Sequence, residues 1–187
     1  TRFLEVVGNI CYKPIMAGSS ISTAALFRTL DEFRGTLVFD EADFRHTDLA
    51  TEIIKILNSG HTGGFPVVRI NVGKDNKMTT VSFKVFGPKI IASRERFQDE
   101  ALESRCLTAV LHPIGDNDLP IHLPETFERE TTDLRNQLLS FRFENFSSVS
   151  ADESTVRDLS FPRLKQSALA ITTLAKFIGE DILAESI

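Results

Sequence analysis

Gly35-Thr36-Leu37-Val38-Phe39-Asp40-Glu41-Ala42-Asp43 is the stretch that decides how the rest of this chain is read. Thr36 to Phe39 shows no helical alternation of polarity and suits a strand buried on both faces. It runs straight into two adjacent carboxylates, Asp40 and Glu41. In open α/β sheets ligands sit beyond the carboxyl ends of the strands, so these acids are expected to face a site. The pair divides by role: Asp40 to hold a hydrated divalent cation, Glu41 to polarise an attacking water. The plain alternative is a strand followed by an acidic turn.

Upstream of this strand, Arg2 to Val7 reads as the first turns of a helix with Phe3, Leu4, Val6 and Val7 on an apolar face. Ile10 to Ala17 reads as a short strand, and Pro14 places it at a sheet edge. Ser22 or Thr23 caps a helix running through Phe33, with Ala24, Ala25, Phe27 and Leu30 inward. Downstream, Asp48 caps a helix from Leu49 to Asn58 whose Ile53, Ile54, Ile56 and Leu57 face the sheet. From Phe65 to Phe86 the period changes to that of a hairpin, turning between Gly73 and Lys77. Lys89 to Ser93 reads as another buried strand, Arg94 to Ser104 as a charged helix, and Cys106 to Leu111 as a further strand. The run from Ile114 to Pro124 is a linker. Beyond it, Glu125 to Phe143 and Phe161 to Phe177 are helical, the second with Leu164, Ala168, Ile171 and Leu174 on one face.

This order predicts an α/β fold: a parallel-sheet core over 1–113 with an inserted hairpin, then a small helical subdomain over 114–187. At 187 residues and 42% hydrophobic, the chain is long enough to bury a core. A net charge of -5 supplies no global basic field, so contact with nucleic acid must come from a local patch. Cys11 and Cys106 lie in apolar runs without metal-ligand company and fit a reduced, cytoplasmic protein. No run is apolar for the length of a bilayer. Fifteen Phe against one Tyr and no Trp points to aromatics that fill a core.

With Asp-Glu on a central strand, this order resembles the AAA+ ATPase core followed by its helical lid. The likeness is to minichromosome-maintenance helicases and to replication ATPases of phages and mobile elements. TLVFDEAD (36–43) matches Walker B, and Ser93 at the end of KIIAS falls at the sensor 1 position. ALESRCLTAVL (101–111) is similar to the run that carries the family's arginine finger, here Arg105. A guanidinium delivered to a neighbour's γ-phosphate offsets charge developing in the transition state. Arg163, in FPRLK (161–165), falls at sensor 2 of the lid. In the helicase branch the hairpin ahead of sensor 1 enters the central pore and touches DNA, a role that Lys74, Lys77 and Arg69 suit.

The resemblance implies ATP and Mg²⁺ at the site, and a homo-oligomeric ring, a hexamer in the helicases. One motif is missing: no G-x-x-x-x-G-K-[ST] occurs in the chain. Because the family places a helix directly after it, Thr1 is expected to be the Thr of such a loop and a Mg²⁺ ligand. The Gly, the Lys and the first core strand would then lie upstream, and the chain alone would be inactive. In the family that strand sits between the sensor 1 and arginine-finger strands, so its absence leaves two open edges. An N-terminal Thr is also the nucleophile of some hydrolases, but those need it on a strand, and Arg2 to Val7 reads as helix.

Each residue has a plainer reading: Arg105 as a solvated helix-end arginine, Arg163 as surface, and Lys74 and Lys77 as a hairpin tip diluted by Asp75. Three functions are consistent with the sequence. The first is an ATP-driven oligomeric motor on nucleic acid. The second is an ATP-dependent remodeller or switch of proteins, which the acidic balance suits. The third is a non-catalytic scaffold.

Overall fold

The computed structural model describes residues 2–40, 48–72, 75–112 and 120–179. The chain opens with α1 (Arg2–Ile10), β1 (Ile15–Ala17), α2 (Thr23–Phe33) and β2 (Leu37–Phe39). Then come α3 (Asp48–Ser59), the hairpin β3 (Val67–Val72) and β4 (Met78–Phe83), β5 (Lys89–Ile91) and α4 (Glu100–Glu103). The C-terminal part holds α5 (Phe127–Asn145), a 3-10 turn (Glu153–Val156) and α6 (Pro162–Ile178). It is an α/β fold with a small three-stranded parallel sheet in the order β1-β2-β5.

β2 is central and wholly buried, as its unbroken apolar run requires. Alternate residues of a strand face opposite sides, and both sides here are covered. Leu37 and Phe39 enter a cluster with Leu26, Phe27 and Leu30 of α2 and Ile53, Ile56 and Leu57 of α3. Val38 points to the other face, where α1 approaches closely; a Cβ on Gly8 would lie 3.2 Å from Val38 Cγ1. β1 is at the edge, as Pro14 indicates.

Its strand is shorter than Ile10 to Ala17, because α1 runs through Ile10 and the chain turns at Lys13 with φ 44°. Lys13 packs against the opposing turn at Gly35: a Cβ on Gly35 would lie 1.8 Å from the Lys13 carbonyl oxygen. Only glycine fits there. α2 starts as its sequence predicts, with Ser22 Oγ accepting from the Ala25 amide at 3.2 Å. Its inward face is rotated from the expected one, since Leu26 is buried and Ala25 is exposed.

The hairpin is antiparallel, pairing Val67 with Phe83 and Val72 with Met78. Its base docks on α2 through Phe83 and Phe27, whose ring centroids are 4.6 Å apart.

Three further expectations need correction. Cys106 to Leu111 forms no strand, and β5 has no further strand partner among the described residues. An extended run becomes a strand only where a neighbour takes its N–H and C=O groups, and no described segment does. Arg94 to Ser104 is helical only over Glu100–Glu103. Side chains compete for the backbone ahead of it: Ser93 Oγ donates to the Glu95 carbonyl at 2.6 Å, and Glu103 Oε2, from within α4, accepts from the Phe97 amide at 3.2 Å. Asp99 then caps the short helix by accepting from the Leu102 amide at 2.7 Å.

The third concerns α6, which buries Ala168, Thr172, Thr173 and Ala175 and leaves Ile171 and Leu174 exposed by 47% and 43%. The 3-10 turn packs against small hydroxyl side chains, with Thr155 Oγ1 2.8 Å from Thr172 Oγ1. Thr173 Oγ1 accepts from the Asp152 amide at 3.1 Å. Satisfied threonines therefore take the place that an apolar count assigns to leucine.

The C-terminal helices rest on the α/β part. Arg135 of α5 donates to the Asn9 carbonyl at 3.0 Å, and Ser167 of α6 donates to the Arg105 carbonyl at 3.1 Å. Among the described residues no helix is long and apolar enough to cross a membrane.

Candidate functional site

The parallel sheet brings the carboxyl ends of its strands level. The Asp40 amide donates to the Ala17 carbonyl at the end of β1, and the Ala92 amide donates to the Phe39 carbonyl, both at 2.9 Å. Asp40 thus leaves β2 between the last residue of β1 and the first residue after β5, and is half-buried there. Ser93 follows Ala92 on the same edge, exposed, with its hydroxyl donated to the Glu95 carbonyl. Asp40 and Ser93 thus follow neighbouring strands at one edge of the sheet. Glu41, between Asp40 and α3, lies outside the described residues, as do Thr1 and Lys74.

Asp40 offers one hard oxygen ligand. Mg²⁺ keeps several waters and takes one or two carboxylates, so this ligand fits it. Among the described residues no group of three or more His, Cys, Asp or Glu could cage a metal unaided. Cys11 and Cys106 are free and half-buried, and burial pushes both thiols up from their ordinary value.

Arg105 sits just past α4, against the last turn of α3. Its Nη1 donates to Asn58 Oδ1 at 2.9 Å and to the carbonyl of Ala101. Asn58 Nδ2 donates in turn to Asp99 Oδ1 at 3.2 Å. Neither Asn58 nor Asp99 stands out in the sequence. The available signal was Asp99 ahead of Glu-Ala-Leu-Glu, a helix-start pattern hidden by reading the helix from Arg94. Arg163 is exposed on the first turn of α6, one turn ahead of Ser167 on the same face. No hydrogen bond or ion pair among the described residues joins Arg105 or Arg163 to Asp40 or Ser93.

Of the three hairpin cations, Arg69 and Lys77 lie within the described residues. Arg69 is committed to Glu52 at 2.8 Å, and its guanidinium lies 5.3 Å from the Phe27 ring centroid. Lys77 is exposed near the tip, where Asn76 adopts φ 57° and Asp75 Oδ1 accepts from the Lys77 amide at 3.2 Å. The outward face carries Val68, Ile70, Val72 and Met78, with Ile70 and Met78 exposed by 68% and 71%.

Two grooves lie away from this edge, along the C-terminal helices. One of about 720 Å³ is lined by Ser148, Asp152, Ser154, Thr173, Lys176 and Phe177.

No protein-family model, curated protein or solved structure matches the chain.

Proposed function

We propose that the chain is the catalytic part of an AAA+ ATPase that works as an oligomeric ring. The observation carrying this reading is the level carboxyl edge of β1-β2-β5, with Asp40 at its centre and Ser93 beside it. Asp40 and Thr1 hold Mg²⁺ on ATP, which supplies the phosphoryl group and, through the metal, charge neutralisation at its oxygens. Glu41 orients the attacking water, Ser93 Oγ positions it by accepting a hydrogen bond from it, and Arg163 contacts the nucleotide from the C-terminal helices. Arg105 reaches a site on the adjacent subunit, which is why the working form is a ring.

For substrate, the resemblance favours nucleic acid, engaged by Lys77 and Lys74 at the hairpin tip, and the protein is a helicase or replication ATPase on this reading. A second reading, a protein remodeller, draws support from the apolar outward face of the hairpin and from the pairing of Arg69 with Glu52. Titration of the ATP-turning protein with single-stranded DNA separates them. Stimulated turnover is expected for the motor on nucleic acid, and turnover indifferent to DNA belongs to the remodeller. Failure to bind ATP leaves the scaffold.

A further inference from the structure

The guanidinium of Arg105 is held through Nη1 alone, and its Nε and Nη2 make no hydrogen bond among the described residues. Of its five N–H groups, the two on Nη1 match two acceptors, Asn58 Oδ1 and the Ala101 carbonyl. Nε is buried and has no hydrogen-bond partner. The two on Nη2 have no acceptor among the described residues.

The grip itself is fixed from behind. Asp99 Oδ1 accepts from the Leu102 amide at 2.7 Å as the cap of α4, and from Asn58 Nδ2 at 3.2 Å. That second bond turns the Asn58 carbonyl oxygen toward Arg105. The nearby carboxylate is thus engaged by an amide and a backbone N–H, and a neutral oxygen touches the arginine. A purely structural arginine gains most from a bidentate carboxylate, which cancels its charge. Here the seat orients the guanidinium and leaves the charge uncompensated, which suits an external anion.

We propose that Asn58 is a positioning residue for Arg105, aiming its Nη2 edge at the terminal phosphate of a nucleotide bound by an adjacent copy of the chain. The inference rests on the ATPase reading and adds the part that orients the finger. A guanidinium already immobilised loses less freedom on meeting the phosphate, and its geometry is set before the anion arrives.

The test compares Asn58→Ala, Arg105→Ala and their combination in the intact protein. Arg105→Ala is expected to lower kcat by about 10³-fold or more. Asn58→Ala should lower it by roughly 10- to 100-fold with KM for ATP unchanged. The combination should match Arg105→Ala alone, because the amide acts only through the arginine. Asn58→Asp keeps an acceptor but compensates the charge, and should also lower kcat at unchanged KM. A readout without nucleotide is the Arg105 Nε–H signal in NMR. It should exchange slowly with water in the wild type and in Asn58→Asp, and roughly tenfold faster or more in Asn58→Ala. Wild-type kcat in either Asn58 variant, or additive losses in the combination, overturns the proposal. Turnover that needs Glu41 but ignores Arg105→Ala overturns it and leaves the ATPase reading standing. A protein that binds no ATP overturns both.

Discussion

The ammonium of Lys89 lies 2.8 Å from the Gly60 carbonyl oxygen, where α3 ends, and 2.8 Å from that of Gly87. Its third acceptor is the Val85 carbonyl at 3.3 Å. A cation at a helix C-terminus meets the negative end of the dipole, and here it also ties α3 to the entry of β5. Desolvation lowers its pKa from 10.5 to about 8. A base with a depressed folded pKa costs stability below that value, where the native state must carry the buried charge. Between about pH 8 and 10.5 the unfolded chain binds more protons, so this group's contribution becomes less unfavourable as pH rises. Urea unfolding of wild type and Lys89→Met should therefore show the difference, wild type minus variant, rising across that window. A flat difference contradicts the assignment.

Gly35 and Gly18 make a matched pair. A Cβ at 35 would fall 1.8 Å from the Lys13 carbonyl oxygen, whereas nothing lies within 4 Å of one at 18. Gly35→Ala must force apart the turns that align β1 with β2. It should cost about 3 kcal/mol or more in urea unfolding, and Gly18→Ala about 0.5 kcal/mol or less.

The sheet and hairpin were legible because their signals are local. Thr36 to Phe39 is an unbroken apolar run, Pro14 marks an edge, and the turn from Gly73 to Lys77 separates two alternating segments. What was illegible depends on neighbours. Cys106 to Leu111 has strand composition but no described strand to pair with. The buried face of α6 is set by hydroxyl contacts with the 3-10 turn, which an apolar pattern does not record. At the site, Asp40 and Ser93 could be placed from strand ends alone. Asn58 could not, because its role exists only where α3, Asp99 and Arg105 meet.

Asp152 joins the 3-10 turn to α6. Its hydrogen bonds from Lys176 and from Ser154 hold its carboxyl at about 2, below the ordinary 3.8. An acid with a depressed folded pKa contributes fully above pH 3.8, and the contribution fades as pH falls toward 2. The thermal midpoints of wild type and Asp152→Asn should differ at pH 5 and converge as the pH is lowered to 2. A constant difference contradicts the pairing.

The hairpin tip offers a direct check on substrate. If Lys77 neutralises one phosphate, Lys77→Ala should weaken single-stranded DNA binding. It should also reduce the slope of log K against log salt by about 0.7. An unchanged slope moves the substrate assignment to the apolar face around Ile70.

ATP turnover by the intact protein, wild type against Glu41→Gln, with and without single-stranded DNA, tests the central claim most directly. The account predicts Mg²⁺-dependent turnover, faster with DNA, and its abolition in Glu41→Gln while ATP binding persists. Turnover that survives Glu41→Gln, or a wild-type protein that binds no ATP, contradicts it.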